Sequence, residues 1–408
     1  IEPTYNGTST LIKIGEDVSE RLMLDPSKFW VERTVRPIYK VKAPTKEQTL
    51  STTIIQASAK EVILPGCMAG ESLLSQLIVD KFLYHLPEYR QAKRFKELGV
   101  EIPTSSINRW VHATADKLYL LYVAQMQRIL SADYIQVDET THSIIDGKGS
   151  ARKGYIWVVR SVLFPGVFFY YDKGSRSQEV VLKMLRDFKG ALQTDGYAAY
   201  SIFEEKQGIL PLGCMAHVRR KFHDSLPKDK ARESDVTSVA NQGIHYCNQM
   251  FSLERAWEDL SAEERYEKRQ SELKPLLEKF SDWCSKKSIS VLPSGKLGTA
   301  FQYCIKHMDK FMNVLKDGRL ELSNNRAERA VKEIVMGRKN WLFSQSSTGA
   351  KSMAIIMSIL ETAKQNGLDQ FKYINYLLDK LPNELSLLDT QRLEAYLPWA
   401  ENVQLHCK

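Results

Sequence analysis

Apolar positions change period several times along this 408-residue chain. Up to about residue 60 they fall in short alternating pieces, LIKIGEDVSERLML, KFWVERTVRPIYKVKA and STTIIQAS. These are rich in Val, Ile and Thr and predict a small β-rich module over 1–65. From 66 to 130 the period becomes helical, as in GESLLSQLIVDKFLYHL, EYRQAKRFKELG and TSSINRWVHATADKLYLLYVAQMQRIL. From about 133 it returns to strands. DYIQVDET predicts a short strand, and GYIWVVRSVLF and GVFFYYD a hairpin turned at Pro165-Gly166. SRSQEVVLKMLRDF predicts a helix with Ser175 and Gln178 as capping box, and GALQTDGYAAY and ILPLGCMAHV two further strands.

An antiparallel meander followed by a crossover to a parallel strand gives a mixed α/β sheet, an order that resembles a ribonuclease H-like domain. Residues 226–318 read as a charge-rich helical insertion, with Ser261 and Glu264 as a capping box and enough aromatics to build a core of its own. The catalytic core is therefore expected over 131–225 and 319–366, with a C-terminal tail over 367–408. Within the helical 66–130 region, RQAKRFKELGVEIPTSSINRWV resembles a helix-turn-helix whose second helix is capped by Thr104 or Ser105. An ordinary helical hairpin explains it equally well; in the first case Asn108 and Arg109 are the residues exposed to DNA.

Composition adds boundaries. With 43% hydrophobic and 26% charged residues the chain is that of a soluble globular protein, long enough for two or three domains. A net charge of +8 is compatible with a polyanionic partner without requiring one. The six cysteines show no C-x-x-C spacing, which argues for a reducing, cytoplasmic setting and against a disulfide scaffold. The most apolar stretch, YIWVVRSVLFPGVFFYY, is interrupted by Arg160, Pro165 and Gly166 and is too short to span a bilayer. The chain starts at Ile1 and carries no signal peptide, so it reads as a piece whose natural N-terminus lies further upstream.

Three acids stand out. Asp138 follows the apolar run YIQV, and Asp195 follows ALQT; both are expected at strand ends. Neighbouring strand ends set carboxylates side by side at the edge where ligands bind, and Mg²⁺ suits such a set of oxygen donors. Glu328 lies in NRAERAVKEIV, a helix whose apolar stripe is Ala327, Val331, Ile334 and Val335. Each has a plain alternative. Asp138 and Asp195 suit turn chemistry, and Glu328 suits a capping box with Asn325 or an i,i+4 pair with Lys332. The three together, on this strand order, favour a metal site.

IQVDETTHS, LQTDGYAAY, GCMAHVRRKF and NNRAERAVKEIVMGRKNWLFS resemble, in order, the motifs of DDE transposases of bacterial insertion-sequence family sixty-six. The likeness runs from about residue 15 to LPWA. It implies that Asp138, Asp195 and Glu328 are the catalytic and metal-binding triad. It implies two Mg²⁺ ions per site, with Mn²⁺ as a substitute, cleavage at the element ends, and attack of the freed 3′-hydroxyl on target DNA. Terminal inverted repeats, target DNA and a second copy of the chain are the implied partners, at the nucleoid in the cytoplasm. A catalytically inactive DNA-binding relic and a structure-specific nuclease on the same fold are the competing readings.

Cys214 and His217 form a C-x-x-H pair. Zinc would need two further ligands, with His223 one loose candidate, and a buried Cys beside a His that orients the loop or contacts DNA is the preferred reading. His217, Arg219, Arg220, Lys221, Arg338 and Lys339 suit phosphate contacts, and Trp341 suits base stacking or a place in the core. Arg326 and Arg329 flank Glu328, either to hold phosphates or to neutralise the acids. The family's cysteine-rich N-terminal module has no cysteine in the matching stretch VRPIYKVKAPTKEQTL, which leaves a degenerate zinc-ribbon-like region.

Overall fold

A computed structural model describes residues 28–40, 54–145, 150–227, 238–384 and 390–408. Most of the β-rich pieces expected before residue 60 lie outside these. What is described there is an antiparallel ribbon of β1 (Ile38–Lys40) and β2 (Ile54–Gln56). Four helices follow: α1 (Glu71–Phe82), α2 (Glu88–Glu97), α3 (Thr104–Lys117) and α4 (Tyr119–Leu130). Helix α3 starts at Thr104 behind Pro103, and neither Thr104 nor Ser105 caps it with a side chain. Proline at this point already fixes an extended entry, so the start needs no side-chain acceptor.

The centre is a five-stranded sheet of β3 (Tyr134–Ile144), β4 (Arg152–Ser161), β5 (Gly166–Tyr170), β6 (Gly190–Gln193) and β7 (Ile209–Leu212). Its order is β5-β4-β3-β6-β7. The β3–β4 and β4–β5 pairs are antiparallel, and β3–β6 and β6–β7 are parallel. The sheet is thus mixed, as the meander-then-crossover order predicts. Ile156 to Val159 of β4 are all fully buried, the continuous apolar run of a strand covered on both faces.

Helix α5 (Gln178–Met184) connects β5 to β6. It has Ser177 at its N-cap, without a side-chain cap. The expected Ser175/Gln178 box does not form, because the Ser175 hydroxyl is taken up by Ser177 at 3.0 Å. Helix α6 (Met215–Asp224) leaves β7 and packs on α7 (Val239–Ala256) and α10 (Lys296–Met312). Between them lie α8 (Ala262–Lys268), which does carry the Ser261/Glu264 capping box, and α9 (Lys274–Ser288). These helices share a core of Phe222, Phe280 and Phe301, with Trp283 packed against it. Arg269, in a π-helical turn, is fully buried. It donates to the Glu254 carboxylate and to the carbonyls of Val314, Asp317 and Leu320, which fastens this helical unit to the segment returning to the sheet.

That segment leads into α11 (Asn325–Trp341), which lies on β3 and β4, and then α12 (Ser347–Gln365), which covers β5. Helix α12 is buried almost all round. Ser358 and Thr362 accept from the N–H groups of Phe169 and Val167 at 2.8 and 3.2 Å, so the outer edge of β5 is closed by side chains rather than by another strand. Helices α13 (Gln370–Lys380), α14 (Thr390–Glu394) and α15 (Glu401–Cys407) complete the chain, α13 against α1.

Candidate active site

Asp138 does not end its strand. It is the fifth of eleven residues in β3, which continues to Ile144 against β4. The strand that ends is β6. Its parallel ladder with β3 stops at Gln136↔Gln193, and the chain then turns away through Asp195-Gly196, where Gly196 takes φ +84°. Asp138 and Asp195 thus each stand two residues beyond the last paired position. Side chains two apart in a strand share a face, so the register brings the two acids to one place.

Asp138 Oδ1 accepts the Glu139 N–H at 2.8 Å. Burial, followed by the charges of Glu139, Asp195 and Glu328, pushes the Asp138 carboxyl up to about 8. Both other members of the expected triad are therefore close enough for Asp138 to feel their charge. Asp195 is set by its own turn: Oδ1 accepts from Tyr197 N–H at 2.8 Å, and its carbonyl accepts from the Tyr303 hydroxyl at 2.6 Å. Tyr303 belongs to α10, so the helical unit grips the turn that carries the second acid.

Glu328 sits in the first turn of α11, half-buried. It closes no capping box: Asn324, not Asn325, is the N-cap and makes no side-chain cap. Nor does it reach Lys332. Its Oε2 accepts from Arg220 Nη2 at 3.0 Å, and its Oε1 lies 3.5 Å from His217 Nδ1. Arg220 Nη1 is 3.4 Å from His217 Nε2. A guanidinium only donates, so Nε2 is the acceptor and the imidazole proton is assigned to Nδ1, on the Glu328 side. Burial lowers His217 below its ordinary value against the pull of Asp195 and Glu328, which favours this neutral tautomer.

Among the described residues, the three His, Cys, Asp or Glu side chains whose ligand atoms lie within 4.8 Å of one another are Cys214, His217 and Glu328. The third member is thus Glu328 rather than His223, which is exposed beside Asp224. Burial pushes the Cys214 thiol up to about 12, so it keeps its proton in the metal-free protein, and three donors leave a structural zinc one ligand short. Asp138, Asp195 and Glu328 do not form such a set in this structure; what links them is the charge of Asp195 and Glu328 felt at Asp138.

The remaining expected residues separate into groups. Arg219 and Arg220 are exposed on α6, with Arg219 Nε bound to Asn248 at 2.8 Å. Lys221 Nζ lies 4.7 Å over the Tyr303 ring. Arg329 and Lys339 are exposed on α11, while Arg326 pairs with Glu321 at 2.6 Å. Arg338 is committed to the sheet, donating at 2.6 Å to both the carbonyl and the hydroxyl of Thr141. Trp341 packs edge-on to Phe82 and His85 and serves the partly buried core. On α3 Arg109 is exposed, but Asn108 is half-buried and donates to Glu88 of α2 at 2.9 Å, which corrects its expected exposure. Glu333 and Glu361 both pair with Lys364.

Sequence reading passed over Glu139, although it stands inside the quoted DET. It accepts from Arg176 Nε at 2.9 Å and from the Tyr200 hydroxyl at 2.9 Å. Arg176 in turn lies 3.7 Å over the Tyr197 ring, so the pair braces the Asp195 turn from behind.

Residues 66–352 match the model of the family described as Transposase IS66 family. Relatives come from Sinorhizobium fredii. The uncharacterized protein y4hP is 30% identical over 98% of this chain and 74% of its own length. The uncharacterized protein y4jD is 28% identical over 96% of this chain and 76% of its own.

Proposed function

This chain belongs to the IS66 family of transposases, and from that membership we propose that it is a DDE transposase whose Asp138, Asp195 and Glu328 carry the reaction. The family implies a DNA-modifying enzyme that uses a divalent metal; the finer reading concerns the residues, the ion and the steps. The carrying observation is the register Gln136↔Gln193, which leaves Asp138 and Asp195 adjacent just past the end of one ladder, with Glu328 close enough to raise Asp138. A mixed sheet flanked by helices, with the acids on neighbouring central strands and the following helix, supports a ribonuclease H-like core over 131–225 and 319–366.

In this reading the three carboxylates hold Mg²⁺, two ions per site. Bound there, the ions supply activation of a water or a 3′-hydroxyl and stabilise the oxygen that leaves phosphorus. Glu328 is shared in the resting protein between the Arg220 guanidinium, which neutralises it, and the uncharged His217 imidazole. With ions held by the carboxylates, the Arg220 guanidinium would be free to reach a phosphate of the cut end. Lys221, Arg219 and the exposed Arg329 and Lys339 extend that basic surface for the terminal repeat and the target. His217 keeps its proton on Nδ1 and orients the Glu328 carboxylate. Two ends cut in concert call for two copies of the chain on DNA.

Among the described residues no helix is long and apolar enough to cross a membrane. The test is a joining assay with a pre-cut 3′-hydroxyl end of the element and a supercoiled target in Mg²⁺ or Mn²⁺. Joined product is expected. Nicking of the target with no joined product would favour a nuclease on the same fold and overturn transposition by this chain.

A further inference from the structure

Behind the three acids lies a buried set of amides that the chemistry above does not use. Gln136 and Gln193 are both fully buried; Gln136 stands two residues before Asp138 on the same face of β3, and Gln193 ends β6 two residues before Asp195. Gln136 Nε2 donates to Gln193 Oε1 at 2.9 Å, and the Tyr134 hydroxyl donates to the same oxygen at 2.5 Å. Gln193 Nε2 donates to the carbonyls of Gly213 and Glu321 at 2.9 and 2.7 Å. Gln136 Nε2 also reaches the Glu321 carboxylate and the Ser323 carbonyl, each at 3.0 Å.

The network ends on the third acid's helix. Gln136 Oε1 accepts the N–H of Ala327 at 3.2 Å, the residue immediately before Glu328. That N–H is one of the first-turn donors that a helix leaves without an internal partner. The N-cap residue offers no side chain to it, so a strand glutamine does the capping from outside. One pair of amides therefore touches the backbone or strand carrying Asp138, Asp195 and Glu328.

We infer that Gln136 and Gln193 are positioning residues that lock the two catalytic strands and the Glu328 helix in one register, so that the three carboxylates form a divalent-cation site. This rests on the proposed roles of those carboxylates. An amide is suited to the task because it donates and accepts at once, and it adds no charge to a place already crowded with acids. Residues that hold metal-binding groups in place typically cost about 10–100-fold in metal affinity when they are replaced.

The experiment titrates Mn²⁺ into the full chain by calorimetry without DNA, for wild type, Gln136→Met, Gln193→Met, the double variant and Asp138→Asn, with thermal unfolding of each. Tyr134→Phe, which removes one hydroxyl from the edge of the network, serves if a methionine variant does not fold. Each glutamine variant is expected to weaken Mn²⁺ binding about tenfold while remaining folded. The double variant should lose less than the sum of the two, because both belong to one network. Excess Mn²⁺ should restore nicking to the glutamine variants but not to Asp138→Asn. If Asp138→Asn abolishes binding while the folded glutamine or Tyr134→Phe variants bind as wild type does, the positioning role is overturned and the catalytic assignment stands. If Asp138→Asn binds Mn²⁺ normally, the catalytic assignment fails and the positioning role with it.

Discussion

Arg220 Nη2 donates to Glu328 Oε2 across 3.0 Å, joining residues 108 apart in sequence. One comes from the helix after β7 and the other from the helix that returns to the sheet after the helical unit. The protein thus neutralises Glu328 with its own arginine.

Replacing that arginine has opposite effects on two ligands. In Arg220→Ala the ion no longer competes with a guanidinium for Glu328, so the Mn²⁺ concentration for half-maximal nicking should fall severalfold. DNA affinity should fall too, with the slope of log affinity against log salt reduced by about one. Titrations of metal and of salt check the two effects separately.

Asp138 costs the folded protein stability. Its folded value, about 8, lies above the ordinary carboxylate range, so the folded state holds the proton more tightly than the unfolded chain. The stability it contributes is full below about pH 4 and is lost as pH rises toward 8. Asp138→Asn should flatten that decline and stabilise the protein at pH 8 without metal by on the order of 1 kcal/mol or more, with a higher melting temperature there. Mg²⁺ should stabilise wild type there and leave the variant unmoved. Calorimetric unfolding at pH 5 and pH 8, with and without Mg²⁺, reads all three.

The Glu139–Arg176 pair should behave as structure. Arg176→Ala strands a buried carboxylate, which costs about 2–4 kcal/mol, less than a fully buried pair because Arg176 is partly exposed. Glu139→Gln, which keeps the shape and an acceptor for Tyr200, should cost less. Urea unfolding at pH 7 orders the two.

Tyr303→Phe isolates the grip of the helical unit on the second acid. One hydroxyl donating to the Asp195 carbonyl is lost, with about 0.5–1.5 kcal/mol of stability. Nicking should drop about tenfold, because the Asp195 carbonyl then loses its tie to α10. A nicking rate equal to wild type would mean that the turn positions Asp195 without help from α10.

The sheet was legible because β4 and β5 are continuous apolar runs around Pro165-Gly166, and because the helical period of α5 separates the meander from β6. The extent of β3 was not. Beyond Asp138 its ladder is with β4 alone, apart from one bridge between Ile144 and Ser344, and DETTHS reads as a polar loop although Thr140 and His142 are buried. Asp138 and Asp195 stood out from their place after apolar runs, and Glu328 from its place beside the apolar stripe of its helix. The partners of Glu328 could not, since Arg220 and His217 reach it only once the helical unit has folded back. The two Q-x-D spacings, QVD and QTD, were present in the sequence, yet nothing in the spacing showed that the glutamines face each other. That took the parallel register.

The central claim is that all three carboxylates act together. Supercoiled-plasmid nicking in Mg²⁺ by Asp138→Asn, Asp195→Asn and Glu328→Gln, each checked for an unfolding transition like that of wild type, tests it most directly. Each variant should lose at least about 100-fold in rate, and combining two should cost little more, as residues acting as one unit do. A folded Glu328→Gln protein that nicks at the wild-type rate would contradict the account and remove Glu328 from the site.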